Sequence, residues 1–327
     1  MAEIGSDILK ASALLRNGEI IAIPTETVYG LAANAFNTRA VARIFEIKSR
    51  PYFDPLIVHS HSIESIEREI VKEFPKKAKK LAEKFWPGPL TLVLPKHSRV
   101  PDIVTSGLPT VGVRIPNHRL TLSLLKFLDF PLAAPSANPF GYISPTTASH
   151  VDSQLGIHIP YILDGGSSKV GIESTIVGFD EMQRIKIYRY GGIPIEQIEE
   201  VVGESILHNQ NVDQIIKAPG MLKSHYSPKI RLQLVDELNE TIARQFSKKT
   251  AFITYKSKLK ILEPERNKVL SHKGDLKEAA ANLFTIMREL DNGNYELIVA
   301  EKLPNTGLGI AINDRLFRAS QLNEVTD

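Results

Sequence analysis

The chain has 327 residues, of which 43% are hydrophobic and 24% charged, with a formal net charge of +3 and no cysteine. Single hydrophobic cores stop growing at roughly 250–300 residues, so this length predicts two ordinary soluble domains. The missing cysteine excludes disulfides, thiolate catalysis and zinc–cysteine sites. A balance of +3 is too weak to argue for nucleic-acid binding by itself.

No stretch reaches the roughly 18 apolar residues of a membrane span, and the opening MAEIGSDILK lacks the basic-then-apolar pattern of a signal peptide. A cytoplasmic location is the expectation. Asp7 to Asn17 reads as an amphipathic helix, capped by Ser6 and ended by Gly18. The apolar run Ile20 to Ile23 follows as a buried strand, and the polar segment Pro24-Thr25-Glu26-Thr27-Val28-Tyr29-Gly30 comes directly after it. Thr38 to Lys48 is a second helix, with Val41, Ile44, Phe45 and Ile47 apolar. Leu56 to Val58, Leu90 to Leu94, Thr110 to Ile115 and Leu132 to Ala134 read as strands, with helical patterns at Ser62 to Val71, Lys76 to Phe85 and His118 to Phe127. Tyr161 to Leu163, Thr175 to Val177 and Ile185 to Tyr188 add further strands. Strands interleaved with helices imply an α/β layered fold. Several neighbouring strands have no helix between them, so the sheet should be mixed. Lys72, Lys76, Lys77, Lys79, Lys80 and Lys84 crowd one segment, diluted by Glu69, Glu73 and Glu83. A solvated helix face is the favoured reading, and an RNA-steering surface the alternative.

Periodicity weakens after Val202. Ser205 to Ser227 is too long and too polar for an ordinary loop, which makes it a linker or a lid. A second α/β pattern begins near Ile230, with strands at Ala251 to Thr254 and Leu297 to Val299 and a helix at Leu276 to Leu290. The expected layout is therefore a domain over 1–204, a linker over 205–229 and a small α/β domain over 230–327.

The usual nucleotide signatures are missing. There is no G-x-x-x-x-G-K-[ST] loop, and the Gly307-Leu308-Gly309 pair lacks a third glycine and follows no clear strand. There is no H-E-x-x-H and no G-x-S-x-G. Five polar clusters remain. Pro24 to Leu31 offers two hydroxyls, a carboxylate and a phenol past a strand end, where open α/β sheets bind ligands. Lys48-Ser49-Arg50-Pro51 offers a point charge and a two-pronged donor suited to polyphosphate. Pro135-Ser136-Ala137-Asn138-Pro139 frames a hydroxyl and an amide between prolines. Asp164-Gly165-Gly166 with Gly171-Ile172-Glu173-Ser174-Thr175 permits close backbone approach, and Arg189-Tyr190-Gly191-Gly192 ends a strand. For each cluster alone, a turn or a helix-dipole partner is the plain alternative.

In this order the clusters resemble the YrdC-like family, and the trailing region resembles its long two-domain form, the threonylcarbamoyl-AMP synthases. The resemblance spans essentially the whole chain. It is carried by PTETVYGL at Pro24 to Leu31, Lys48-x-Arg50, WPGPLTLVL at Trp86 to Leu94, APSAN at Ala134 to Asn138 and G-x-E-S-T at Gly171 to Thr175. Ala218-Pro219-Gly220-Met221, His225-Tyr226-Ser227-Pro228 and GLGIAI at Gly307 to Ile312 are similar to the long form's linker and C-terminal part. The resemblance implies an α/β fold: a YrdC-like mixed twisted sheet with helices, then a smaller Rossmann-like α/β domain. It also implies a reaction in which L-threonine, bicarbonate and ATP, with Mg²⁺, give threonylcarbamoyl-AMP and pyrophosphate. A partner complex would then carry the group to tRNA, with direct tRNA binding left open and no membrane involved. By the same resemblance Thr27, His59, Arg114, Ala134 and Ser174 line the threonine pocket. Lys48, Arg50, Ser136, Asn138, Ser144, Arg189 and Tyr226 surround ATP, with Lys48 and Arg50 in the catalytic role. No metal ligand is assigned. Asp54 stands where the family often has asparagine, which puts a nucleotide contact there in doubt, and Tyr190 stands where proline is common. The competing readings are a non-catalytic RNA-binding module and a carbamoyl transferase of the hydrogenase-maturation type. The cysteine-built zinc finger of the latter cannot form here.

Overall fold

A computed structural model describes residues 1–206, 219 and 225–321. The chain divides into two compact units. The first comprises Met1–Phe140, Pro145–Lys169 and Glu173–Met221, and the second comprises Gly141–Ser144, Val170–Ile172 and Leu222–Asp327. Most of the expected linker lies outside the described residues.

Among the described residues the first unit has ten strands: β1 (Glu3–Gly5), β2 (Ile21–Ile23), β3 (Gly30–Asn34), β4 (Ile57–His59), β5 (Leu90–Pro95), β6 (Thr110–Arg114), β7 (Leu132–Ala133), β8 (Tyr161–Leu163), β9 (Thr175–Phe179) and β10 (Ile185–Arg189). Its helices are α1 (Ile8–Arg16), α2 (Thr38–Lys48), α3 (Ile63–Glu69), α4 (Lys76–Phe85), α5 (Asp102–Thr105), α6 (Arg119–Phe127), α7 (Ala148–Leu155) and α8 (Ile195–Val202). The strands form one sheet in the order β1-β8-β2-β3-β7-β4-β6-β5-β9-β10. The β4/β6 and β5/β9 pairs are parallel, whereas β2/β3, β3/β7, β5/β6 and β9/β10 are antiparallel. The mixed sheet expected from strands without intervening helices is present.

Local chemistry sets the helix ends. Asp7, not Ser6, caps α1, because one of its carboxylate oxygens accepts from both Leu9 N and Lys10 N. Asn37 caps α2 in the same way, and Ser49 ends that helix in the left-handed region at φ 51°. That turn sends the chain from Lys48 into Arg50 rather than onward as helix. Behind the sheet, Ala11 and Leu15 of α1 and Leu124 and Leu125 of α6 pack with Ile21, Ile23, Ala32 and Leu132. Each fully buried Leu or Ile contributes about 1.5–3 kcal/mol, so this layer gives the strand ends a stiff backing. The lysine-rich segment is α4, whose lysines lie at the surface with Lys77 paired to Glu204 and Lys79 to Glu67. It is the solvated face that the interspersed glutamates suggested.

The second unit has four strands, β11 (Arg231–Val235), β12 (Thr250–Thr254), β13 (Asn267–Val269) and β14 (Leu297–Glu301), in the order β11-β14-β12-β13, all parallel. Its helices are α9 (Glu240–Ala243), α10 (Leu276–Leu290) and α11 (Leu308–Ser320). The Gly307–Gly309 pair opens α11 after β14, so it does follow a strand, across a short loop. No described helix is long and apolar enough to cross a membrane.

Candidate active site

The polar segment between β2 and β3 is buried, with Thr25, Glu26 and Thr27 exposed by only 3%, 6% and 1%. Its hydroxyls are spent on shaping the turn. Thr25 donates to the Val28 carbonyl at 2.6 Å and shares a 2.8 Å hydrogen bond with the Thr27 hydroxyl. Ser168 donates to the Thr25 carbonyl at 2.9 Å, and the Tyr29 hydroxyl lies 2.8 Å from the Gly166 carbonyl and 3.0 Å from Asp164. Burial raises the Tyr29 phenol well above its usual range, which keeps it a donor.

Into this turn reaches Arg114, the last residue of β6, only 4% exposed. Its guanidinium donates to the Thr27 hydroxyl at 2.9 Å and to the Gly88 carbonyl at 3.2 Å, and pairs with Glu26 at 2.7 Å. A guanidinium has five N–H donors, so these contacts leave capacity for a further anion. Desolvating a carboxylate and a guanidinium costs several kcal/mol per ion. A pair kept at that cost in a polar pocket is the kind of feature that marks a functional site.

His59, at the end of β4, stands opposite Arg114 in the strand register and is 3% exposed. Burial, reinforced by the Arg114 charge, pushes its imidazole down to about 3 from the ordinary 6.5. It is therefore neutral at physiological pH and can exchange a proton-neutral hydrogen bond. Between about 3 and 6.5 the unfolded chain binds a proton that the folded chain does not. Stability from this group is thus complete above 6.5 and falls as the pH drops through that window. At pH 5 the loss is about 2 kcal/mol. Urea titrations at pH 7 and pH 5 should show that loss in the wild type and a flatter response in His59→Gln. Equal slopes for both proteins would show that His59 takes up its proton without unfolding.

A second group gathers cations. Lys48 is 1% exposed and donates to the Ser136 carbonyl at 2.6 Å and to the Asn138 carbonyl, so it holds the APSAN segment by its backbone. Burial lowers its ammonium well below the ordinary range and the neighbouring Arg50 adds to that, while Asp54 opposes it. Arg50 donates to the Asp54 and Pro55 carbonyls at 3.0 and 2.9 Å and pairs with the Asp54 carboxylate at 2.8 Å. Asp54 has no exposed surface; burial raises its carboxyl, and Arg50, Lys48 and Arg189 pull it back down. The buried acid at position 54 is thus held by a cation. The Asn138 amide donates to the Pro139 carbonyl at 2.8 Å, Ser136 bridges Gly30, and the Ala134 N–H bonds the Ile57 carbonyl at 3.0 Å.

A third group surrounds Ser174. Its hydroxyl lies 2.8 Å from Thr91 Oγ1 and accepts from Arg189 Nη2 at 3.1 Å, while Arg189 Nε reaches the Ser174 carbonyl at 3.1 Å. The backbone of Gly191 passes so close that a Cβ there would lie 2.5 Å from the Ser174 carbonyl oxygen, which is why glycine stands two residues after this arginine.

Residues 13–191 match the family model described as "Telomere recombination", and residues 193–321 match "Threonylcarbamoyl-AMP synthase, C-terminal domain". The chain is 41% identical over 318 residues to a threonylcarbamoyl-AMP synthase of Pyrococcus abyssi, covering 95% of this chain and 93% of that one. The chain belongs to the threonylcarbamoyl-AMP synthase family. A threonylcarbamoyl-AMP synthase of Bacillus subtilis is 40% identical over 96% of this chain and 92% of its own length. The crystal structure of P. abyssi Sua5 complexed with L-threonine superposes with a TM-score of 0.88 at 39% identity, covering 98% of this chain and 97% of that one. Escherichia coli YciO, at 20% identity and a TM-score of 0.52, shares the fold over 58% of the chain.

As an enzyme of this family the chain brings Thr27 and Arg114 into contact, Lys48 onto Ser136 and Asn138, and Ser174 onto Arg189. Ser144 and Tyr226 belong to the second unit. There the Ser144 carbonyl accepts from Arg288, and Tyr226, 1% exposed, stacks on Phe284 at 5.7 Å. Thr91 on Ser174 and Ser168 on the first turn were not singled out in the sequence, and Glu26 on Arg114 and Asp164 on the first turn were named within clusters without these supporting roles. Glu26 was within reach, since it sits inside the first cluster. Thr91 was not, because a threonine on a strand is a routine β-former. Among the described residues no three acidic or histidine side chains could together hold a metal ion.

Proposed function

We propose that this enzyme forms threonylcarbamoyl-AMP and pyrophosphate from L-threonine, bicarbonate and ATP, for threonylcarbamoyladenosine modification of tRNA. The observation that carries the reading is the buried Arg114–Glu26–Thr27 group beside a neutral His59. It provides a cation for an amino-acid carboxylate, a hydroxyl within the same turn and an uncharged imidazole, in a family with a member solved in complex with L-threonine.

In the proposed reaction the threonine amine nitrogen bonds to the bicarbonate carbon as a C–O bond breaks and water leaves, and an oxygen of the resulting carbamate then forms a bond to the α-phosphorus of ATP as the bond to pyrophosphate breaks. Thr27, His59, Arg114, Ala134 and Ser174 hold threonine. Lys48, Arg50, Ser136, Asn138, Ser144, Arg189 and Tyr226 serve ATP. Mg²⁺ bound to the phosphates would offset their charge. The step needs no side-chain nucleophile. Orientation of two bound reactants supplies up to about 7–11 kcal/mol, and Arg50 and Arg189 would offset charge building on the leaving group. Location in the cytoplasm and a transient encounter with a threonylcarbamoyl-transfer complex belong to the same proposal.

The direct test is pyrophosphate release with purified protein. It should need ATP, Mg²⁺, threonine and bicarbonate together, and release that ignores threonine would overturn the reading. Substrate choice gives a finer check. A site that hydrogen-bonds a substrate hydroxyl rejects the analogue lacking it by orders of magnitude. Threonine should therefore exceed 2-aminobutyrate in kcat/KM by at least about 100-fold; equal values would show that the hydroxyl is not read.

A further inference from the structure

Helix α10 ends in two side chains that the proposed chemistry leaves unused. Arg288 donates through Nε to the Ser144 carbonyl at 3.3 Å and through Nη2 to the Ile143 carbonyl, and lies 5.1 Å over the Tyr142 ring. Asp291, the C-cap of α10, accepts from the Tyr142 hydroxyl at 2.6 Å and from the Lys229 and Ile230 N–H groups, each at 3.1 Å. A carboxylate at a helix C-terminus faces the negative end of the dipole, so these three donors are what make it tolerable there. Burial lowers Arg288 only to about 10, which leaves it charged at neutral pH.

The same unit holds two more close fits. Gly171 sits at φ +77°, and a Cβ there would lie 2.5 Å from the Ala280 carbonyl oxygen, so the chain at 170–172 meets α10 backbone to backbone. On α11, Arg315 has no exposed surface, pairs with Asp314 at 2.6 Å and lies 4.8 Å over the Tyr226 ring. Tyr226 adopts φ 64°, a conformation that a bulky residue keeps only when its surroundings enforce it.

We propose that α10 and α11 are positioning elements for the nucleotide: Arg288 holds the carbonyls of residues 143 and 144, Asp291 holds the Tyr142 hydroxyl, and Arg315 fixes the ring of Tyr226. It rests on the reading of Ser144 and Tyr226 as nucleotide contacts, and the experiment separates the two. Steady-state constants for ATP and for threonine are measured on the full chain for Arg288→Met, Arg315→Met, Arg288→Lys and Tyr142→Phe, with Ser144→Ala and Tyr226→Ala as references. Arg288→Met and Arg315→Met are expected to raise KM for ATP about tenfold and leave KM for threonine within about twofold. Arg288→Lys should recover part of the change. A merely structural role would lower the melting temperature and the active fraction without moving KM. If the references raise KM for ATP and the arginine variants do not, the positioning inference is overturned while the nucleotide reading stands. If neither reference moves KM, the nucleotide reading fails and the inference with it. Tyr142→Phe removes a single hydroxyl and should raise KM for ATP about threefold. It decides the matter should Arg288→Met fail to fold, and an unchanged KM would then count against the proposal.

Discussion

Replacing Arg114 with glutamine should reduce kcat/KM for L-threonine by roughly 10²- to 10⁴-fold. Each hydrogen bond to a charged group is worth about 1.5–3 kcal/mol, and a carboxylate held by two prongs of a guanidinium loses both. The guanidinium also neutralises Glu26 at 2.7 Å, where both side chains are almost fully buried. Removing one partner of such a pair leaves an uncompensated charge and costs about 3–5 kcal/mol, so the single variant is expected to melt earlier as well. The double variant Arg114→Gln/Glu26→Gln separates the two effects. With neither charge left in the pocket, its stability should return towards the wild type while its threonine binding stays lost. Calorimetric titration with threonine checks the second half of that statement. Wild-type affinity in the folded double variant would remove Arg114 from the threonine pocket.

Much of the frame behind that pocket was legible before any coordinates. The strand runs from Leu90, Thr110, Tyr161 and Ile185 and the helices ending at Lys48, Phe85, Phe127 and Leu290 all have strong apolar periodicity, and all are present. The strand β3 was missed because Gly30-Leu31-Ala32-Ala33-Asn34 is built of small residues with weak β-preference, and its strand character comes from pairing with Ile21–Ile23. The helix α11 was missed because two glycines, the weakest helix formers after proline, stand at its start. The polar clusters announced themselves by position, each just past an apolar run. Their wiring did not. Nothing in Lys48-Ser49-Arg50 shows that Lys48 is spent on two backbone carbonyls, or that Arg50 is matched with an acid four residues on. Such partnerships depend on which strands lie side by side and on a single left-handed residue at Ser49. Local sequence encodes the turn but not what it turns towards.

The Arg50–Asp54 pair changes what the obvious mutation would do. From sequence alone, Arg50→Ala is a loss of phosphate contact in an intact fold, worth roughly 10- to 100-fold in turnover. In the structure the Arg50 side chain is 3% exposed and that of Asp54 is 0% exposed, at 2.8 Å, and Arg50 also closes the loop through the Asp54 and Pro55 carbonyls. Alanine would therefore strand a buried carboxylate and free two carbonyls, an expected loss of about 3–5 kcal/mol. At about 2–4 °C per kcal/mol for a domain of roughly 150–250 residues, the melting temperature of the first unit should fall by roughly 6–20 °C. Asp54→Asn should be milder, since an amide keeps most of the shape and carries no charge to desolvate. The informative protein is Arg50→Ala/Asp54→Asn. Without the stranded charge it should regain most of the lost stability yet remain about 10- to 100-fold down in ATP-dependent pyrophosphate release, because the cation is still gone. Melting curves and initial rates on the four proteins complete a double-mutant cycle, with a coupling energy expected at the upper end of the 0.5–3 kcal/mol range for residues in contact. A double variant as unstable as Arg50→Ala would mean that Asp54 is not the charge being compensated. A double variant with wild-type turnover would mean that Arg50 serves the loop alone and leaves the nucleotide to Lys48 and Arg189.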